Sequence, residues 1–163
     1  MLRARGKATS LPVARSSATD SATKPNVLPE TRAWGERLGS DASRARYLPG
    51  SAFDLELAGP YDVIVASHFY HHFDPATCQS LTRRLAGALA PGGKLCVHDF
   101  VTGTALENPG ATLFALVMLV WTRAGKAYPQ SDYEGWMLEA GLSRPSAHPL
   151  PGMPTSWLVA ERG

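Results

Sequence analysis

The sequence predicts an α/β domain whose core is a largely parallel sheet. Two apolar runs at 61–67 and 94–99 have the composition of buried strands, and a segment with helical periodicity lies between them. This arrangement is typical of a βαβ unit with a right-handed crossover. Hydrophobic residues make up 44% of the 163-residue chain, which is enough to form a core and excludes wholesale disorder.

The beginning of the chain differs in composition from the rest. Residues 1–25 carry five basic residues against one acid and show no periodicity, so we expect a disordered or unrelated leader before a domain at 26–163. A helix over Glu30–Leu38 and a strand over Arg44–Leu48 are predicted next. Without the leader the net charge is −2, which argues against a nucleic-acid-binding surface.

The βαβ unit can be followed residue by residue. The strand over 61–67 reads YDVIVAS, and we expect it to be buried on both faces. Asp74 is a good N-cap and Pro75 suits the first helical position. Pro91-Gly92-Gly93 is expected to end this helix, and KLCVHD at 94–99 forms the second strand.

Two helices and a hairpin complete the predicted domain. The first helix is apolar and runs from about Ala111 to Thr122. Ser131 and Glu134 form a capping box for the second helix, which Gly141 ends. The last segment, 144–161, is predicted to form two strands joined by a turn at 151–154.

Two features bear on cellular location. The two cysteines are too few for a disulfide framework and indicate reduced thiols in a cytoplasmic protein. The longest apolar run, Leu113–Trp121, is shorter than the roughly 20 residues of a membrane-spanning helix. We therefore expect no membrane association.

Four segments, taken in order, resemble the C-terminal part of a class I S-adenosylmethionine-dependent methyltransferase. They are RYLPGSAF at 46–53, YDVIVASHFYHHFDPATC at 61–78, LAPGGKLCVHDF at 89–100 and LPGMPTSWLVAER at 150–162. Within the second segment, HHFDPATC resembles the His-Asp-Trp-x-Asp-x-x-Cys signature of the small-molecule O-methyltransferases. The resemblance covers about Asn26 to Arg162.

The resemblance implies an incomplete Rossmann-like sheet with S-adenosyl-L-methionine as cofactor. A complete family domain has seven strands, the last of them antiparallel, and binds cofactor and substrate at the carboxyl ends of the strands. Its Gly-x-Gly-x-Gly cofactor loop has no counterpart in this sequence. We therefore interpret the chain as an N-terminally truncated methyltransferase fragment, and whether this fragment is active or inactive stays open.

The resemblance also implies the catalytic residues. His71 falls on the position of the family's general base, and Asp99 falls on an acidic residue that orients it. An imidazole suits this role because its unperturbed pKa of about 6.5 lies near working pH. Two alternatives stay open: the loop histidines only pack, or His68, His71, His72 and Asp74 bind a metal ion. We expect no metal site, because adjacent histidines on a short loop rarely converge on one ion.

Cofactor contacts carry over in part. The turn Gly50-Ser51-Ala52-Phe53 matches a Gly-Asp-x-Phe turn, so Ser51, Ala52 and Phe53 are candidate cofactor residues, with serine replacing the usual acid. Ser67 and His68, at the end of a strand, correspond to residues that face the methionine part of the cofactor.

The apolar helix corresponds to the stretch that lines the acceptor pocket in the family. Met118 and Trp121 are therefore candidate substrate-binding residues, although an apolar stripe is more often plain core. The resemblance implies a small hydroxylated acceptor, aromatic or polyketide-like, and a homodimer in full-length members.

Two other functions stay open. The chain is alternatively a non-catalytic methyltransferase-like module that docks onto a partner, since missing strands would leave an exposed sheet edge. A nicotinamide-dependent enzyme is a third interpretation, but its glycine-rich fingerprint is equally absent from the sequence.

Overall fold

The computed structural model describes Arg37 and residues 51–57, 59–103 and 108–163. The chain divides into two units, Met1–Glu56 and Leu57–Gly163, and the elements named below belong to the second. The predicted leader at 1–25 and the predicted strand Arg44–Leu48 lie outside the described residues. So does the predicted helix Glu30–Leu38, apart from Arg37, which is helical.

Five strands form the sheet of the second unit. They are β1 (Tyr61–Ser67), β2 (Leu89–Thr102), β3 (Tyr128–Pro129), β4 (Leu142–Pro149) and β5 (Thr155–Arg162). The main path runs β1-β2-β5-β4, and the short β3 pairs with the end of β2. β1 and β2 are parallel, whereas β5 is antiparallel to both of its neighbours. The α/β class and the C-terminal antiparallel hairpin are thus confirmed.

Three α-helices connect these strands. They are α1 (Pro75–Gly87), α2 (Pro109–Trp121) and α3 (Gln130–Glu139). Asp74 caps α1 as predicted, since its Oδ1 accepts a hydrogen bond of 2.8 Å from the Thr77 N–H. Asn108 caps α2 in the same way, accepting from the Ala111 N–H at 3.1 Å.

The predicted end of α1 at Pro91 is wrong. The helix ends at Gly87, and Pro91-Gly92-Gly93 lies inside β2. Leu89 already pairs with Tyr61, and the ladder resumes at Val63 and Lys94, so the intervening β2 residues bulge out. Gly92 has a φ of 76°, a conformation that glycine adopts without strain.

The predicted capping box of α3 is also wrong. The N-cap is Pro129, which offers no side-chain cap, and Ser131 lies inside the first turn. Glu134 instead accepts a hydrogen bond from the side chain of Gln130 at 2.6 Å. The helix begins at Gln130, before the predicted cap Ser131, because β3 ends at Pro129 with no loop between the two elements. Gly141, with a φ of 80°, follows the helix as predicted.

The sheet buries one face more fully than the other. Residues of one face, including Leu95, Val97 and Leu158, are at most 1% exposed. On the opposite face Val63 is 38% and Val65 is 46% exposed, so the prediction that β1 is buried on both faces is wrong. α1 contacts β2 and α3 contacts β5 and β4, whereas β1 has no comparable helix contact in the described part of the chain.

Helix α2 is apolar around its whole circumference yet largely exposed. Ala111 and Met118 are its buried residues. Its exposed apolar side chains are Leu113, Leu116, Val117, Leu119, Val120 and Trp121. None of the helices in the described residues has the length and apolar character needed to cross a membrane.

Candidate active site

The candidate site lies where the two parallel strands β1 and β2 end. The register places Ser67, the last residue of β1, beside His98 of β2, so the residues that follow β1 lie next to Asp99, near the end of β2. After Ser67 the chain turns into a short 3₁₀ helix, Tyr70–His72, which carries His71. Asp99 follows His98 on β2. Residues far apart in sequence are therefore brought together at the edge where open α/β sheets bind ligands.

His71 and Asp99 form a buried pair. Nδ1 of His71 lies 2.6 Å from Oδ1 of Asp99, and the backbone N–H of His71 donates to Oδ2 at 3.3 Å. The backbone N–H of Phe100 also donates to Oδ1, at 2.8 Å. His71 is 4% and Asp99 is 0% exposed. An ionised carboxylate can only accept, so Nδ1 carries the proton and Nε2 is left with a free lone pair.

A buried polar cluster behind the 3₁₀ helix holds His71 in place. The Tyr70 hydroxyl is 3.0 Å from the Thr82 hydroxyl, and Sγ of Cys78 donates to the carbonyl of Tyr70 at 3.3 Å. The Tyr128 hydroxyl donates to the carbonyl of Phe73. Burial raises the pKa of Cys78 to about 12, so this thiol stays protonated and serves the structure.

Gly125 fixes the turn from the other side. A Cβ at this position would fall on the carbonyl oxygen of His71 and lie 2.7 Å from Oγ1 of Thr122. The Gly125 N–H donates to that same hydroxyl at 2.8 Å. Glycine is therefore required here because the backbones approach so closely.

Ser67, His68 and His98 form a second polar group beside the pair. Oγ of Ser67 lies 3.1 Å from Nδ1 of His98, and Nε2 of His98 lies 3.0 Å from Oγ1 of Thr155. His68 has a φ of 50°, and its ring stands edge-on to the His98 ring at 4.7 Å. Desolvation lowers the pKa of His68 and also that of His72.

Aromatic side chains border His71. The Phe114 ring stands edge-on to the His71 ring at 4.9 Å and stacks on the Phe100 ring at 3.6 Å. Met118, one helical turn beyond Phe114, is 5% exposed, whereas Trp121 is 78% exposed. Phe114 of α2 thus contacts the ring of His71 directly.

The predicted site residues fall into two groups. The second unit contains His71, Asp99, Ser67 and His68 at one edge of its sheet. Ser51, Ala52 and Phe53 belong to the first unit, where Oγ of Ser51 accepts from the Phe53 N–H at 3.1 Å. Their contact with a cofactor remains a prediction.

His98, Phe100 and Gly125 were missed by sequence reasoning. His98 and Phe100 flank Asp99 directly, and that proximity was an available signal for both of them. Gly125 had no such signal, because only the folded chain brings it against His71.

Comparisons with known proteins identify the family and the fold. The model of the O-methyltransferase domain family matches residues 25–143. Mouse acetylserotonin O-methyltransferase is 31% identical over 101 residues, which cover 62% of this chain and 26% of that protein. The chain therefore spans about a quarter of this curated relative's length.

Solved structures share the fold. A candidate O-methyltransferase from Nostoc punctiforme is 37% identical, with a TM-score of 0.79 over 85% of this chain and 42% of that one. An O-methyltransferase family 2 protein from Planctomyces limnophilus, solved with apigenin, is 26% identical, with a TM-score of 0.75 over 85% and 41%. Human N-acetylserotonin methyltransferase, solved with S-adenosylmethionine, shares the fold at 20% identity, with a TM-score of 0.68 over 83% and 39%.

Proposed function

The chain belongs to the O-methyltransferase domain family, and from this we propose that it transfers a methyl group from S-adenosylmethionine to a hydroxyl group of a small molecule. His71 is the proposed general base and Asp99 the residue that orients it. The observation that carries this assignment is the 2.6 Å contact between Nδ1 of His71 and Oδ1 of Asp99 at the carboxyl ends of β1 and β2.

The pair is suited to accept a proton from an acceptor hydroxyl. Asp99 holds the Nδ1 proton, which leaves Nε2 of His71 unprotonated and able to accept. As the hydroxyl proton moves to Nε2, the buried carboxylate stabilises the imidazolium that forms. The oxygen becomes a better nucleophile at the moment when it attacks the methyl carbon.

The cofactor supplies an already activated methyl group, so the protein mainly has to align the reactants. Ser67 and His68 fit the amino-acid end of such a cofactor, because both offer polar atoms at the end of β1, beside His71. The hydrogen bond between Ser67 and His98 fixes the Ser67 hydroxyl and leaves it two further hydrogen-bonding sites for a ligand. Ser51, Ala52 and Phe53 are retained as proposed cofactor contacts.

A hydroxylated aromatic or polyketide-like acceptor is proposed. Phe100 and Phe114 offer flat apolar surface next to His71, on which an aromatic ring can lie. Met118 and Trp121 of the same helix are retained as proposed acceptor contacts. The apigenin of the Planctomyces limnophilus structure supports an aromatic acceptor. A cytoplasmic location, a homodimer in longer family members and the absence of nucleic-acid or membrane binding are further proposals.

A non-catalytic docking module is the second candidate function. The observation that favours it is the exposed apolar surface of α2, where Val120 is 81% and Trp121 is 78% exposed. Apolar patches of this kind commonly mark protein–protein contacts.

Calorimetric titration with S-adenosylmethionine separates the two candidates. An enzyme is expected to bind the cofactor in the micromolar range typical of substrates, at about 1 μM to 1 mM. Methyl transfer to hydroxylated aromatic compounds is then measured for the chain and for His71→Ala, with His148→Ala as the matched control. Binding with loss of transfer only in His71→Ala supports the proposed base. Absence of cofactor binding favours the docking module.

A further inference from the structure

A third side chain lies close to the buried pair. His68, His71 and Asp99 each offer one potential ligand atom, and these three atoms all lie within 4.8 Å of one another. In the described part of the chain this is the sole such group of three. His68 takes no part in the proposed proton transfer to His71. The role of His71 as a base therefore does not explain why the His68 side chain lies so close to the pair.

The backbone directs His68 toward the pair. Its φ of 50° is in the left-handed region, which residues other than glycine seldom adopt. The His68 N–H donates to the carbonyl of His98 at 2.8 Å, which continues the β1–β2 ladder by one residue and holds this conformation. The His68 ring then stands 6.2 Å from the His71 ring and 5.4 Å from the Phe100 ring.

Two imidazoles and a carboxylate are a ligand set that zinc and neighbouring divalent transition metals prefer. Bonds from such an ion to nitrogen or oxygen are about 2.0–2.2 Å long, so Nδ1 of His71 and Oδ1 of Asp99, which share a hydrogen bond of 2.6 Å, must move apart to admit it. His68 is the exposed member, so its side chain is the one with room to move toward the ion.

We propose that His68, His71 and Asp99 form a binding site for a divalent transition-metal ion of the zinc class. Two other titratable residues nearby, Asp74 and His98, are committed elsewhere. Asp74 caps α1, with its two oxygens bound to the N–H and the hydroxyl of Thr77. Both ring nitrogens of His98 are bonded to hydroxyl groups. This ligand set differs from the one considered in the sequence analysis, because β1–β2 pairing brings in Asp99 and leaves out His72 and Asp74.

The ion inhibits methyl transfer and is no cofactor for it. An ion held by both His71 and Asp99 binds Nδ1, the ring nitrogen that faces the carboxylate, and displaces the proton there. Nε2 then carries the remaining ring proton and cannot accept one from the hydroxyl group. Metal binding itself does not depend on the proposed function, whereas inhibition rests on it. The two statements can therefore be tested separately.

Binding is measured by calorimetric titration of the full 163-residue chain with ZnCl₂. The informative variant is His68→Asn, because asparagine tolerates the left-handed conformation and removes the imidazole. The matched control is His148→Asn, an exposed histidine of β4 that pairs with Trp157. We expect one zinc site in the parent chain, a loss of affinity of about tenfold or more in His68→Asn, and no change in His148→Asn. Mg²⁺, which prefers oxygen ligands, is expected not to bind.

A second measurement needs no variant. In the ¹⁵N-labelled parent chain, zinc is expected to shift the ring-nitrogen signals of His68 and His71 together and to leave those of His148 unchanged. Equal zinc affinity in His68→Asn and the parent, or a zinc shift confined to His72 or His148, overturns the site. Full methyl transfer at saturating zinc overturns the inhibition. Zinc binding in a chain that does not bind S-adenosylmethionine contradicts the proposed function while supporting the metal site.

Discussion

His71 and Asp99 are 28 positions apart in sequence, and their side chains meet at 2.6 Å. The contact arises because β1 and β2 are adjacent and parallel, so that the segment after one strand faces the end of the other. Asp99 also binds the backbone N–H of His71, and the carboxylate therefore positions both the ring and the main chain of the proposed base.

Replacing Asp99 by asparagine tests this positioning. In Asp99→Asn the amide can donate to Nδ1, so the His71 proton is expected to move to Nε2, the atom that must accept. Methyl transfer should fall by about 10²–10⁴-fold. The tautomer is checked by ¹⁵N NMR of the imidazole, independently of activity. An unchanged tautomer together with an unchanged rate would remove Asp99 from this role.

Gly125→Ala is expected to displace the turn that carries His71. The added methyl group would fall on the His71 carbonyl oxygen, and overpacking of this kind typically costs about 1–3 kcal/mol of unfolding free energy. The control is Gly135→Ala in α3, where a Cβ meets nothing within 4 Å. That exchange should raise stability by about 0.5–1 kcal/mol. Urea denaturation measures both changes, and equal effects at the two positions would contradict the close approach at Gly125.

Tyr133→Phe is expected to stabilise the protein. The Tyr133 hydroxyl is the sole buried side-chain oxygen without a hydrogen-bond partner among the described residues. Removing a buried hydroxyl that lacks a partner should raise the free energy of unfolding by about 1 kcal/mol. Tyr70→Phe is the matched control, because it removes the 3.0 Å hydrogen bond between Tyr70 and Thr82 and should lower stability by about 1 kcal/mol, although the Thr82 hydroxyl keeps its bond to the Cys78 carbonyl. A loss of stability in Tyr133→Phe would mean that the hydroxyl is satisfied.

Asp74 should make the free energy of unfolding depend on pH in the acidic range. Hydrogen bonds from the N–H and then the hydroxyl of Thr77 lower the pKa of Asp74. Its stabilisation is therefore complete above the unfolded-state pKa of about 3.9 and is lost as the pH falls through the lower folded-state pKa.

Asp74→Ala should cost about 1 kcal/mol at neutral pH, and the difference from the parent should shrink in acid. Asp74→Asn, which keeps an oxygen acceptor without a charge, serves as the control. Urea denaturation over a pH series measures all three chains. A difference between Asp74→Ala and the parent that does not change with pH would contradict this assignment.

Local patterns were sufficient for most of the fold. Apolar periodicity and capping residues predicted β1, α1, α2 and the C-terminal hairpin, because these elements follow from interactions between near neighbours in sequence. The end of α1 could not be predicted, since Leu89 is taken into β2 by pairing with Tyr61. The exposure of Val65 likewise depends on which layers cover the sheet, a property that no local pattern encodes.

The candidate site shows the same division. His71 and Asp99 were found from a motif and from the end of a strand, and strand adjacency explains their contact. The 3₁₀ helix that orients His71 and the approach of Gly125 to it depend on residues from several distant segments. Those contacts are tertiary, so the periodicity of the sequence does not predict them.

The buried pair and the strands that align it lie within one continuous stretch, Tyr61–Thr102, that forms a βαβ unit. A recombination event with crossover points outside this stretch would transfer the proposed base His71 and its partner Asp99 together. The part of the proposed acceptor surface that lies on α2 is downstream of this stretch and could be exchanged separately. The acceptor specificity could then change among relatives while the proposed base His71 stays the same. We therefore expect α2 to be the segment to exchange in chimeras between relatives.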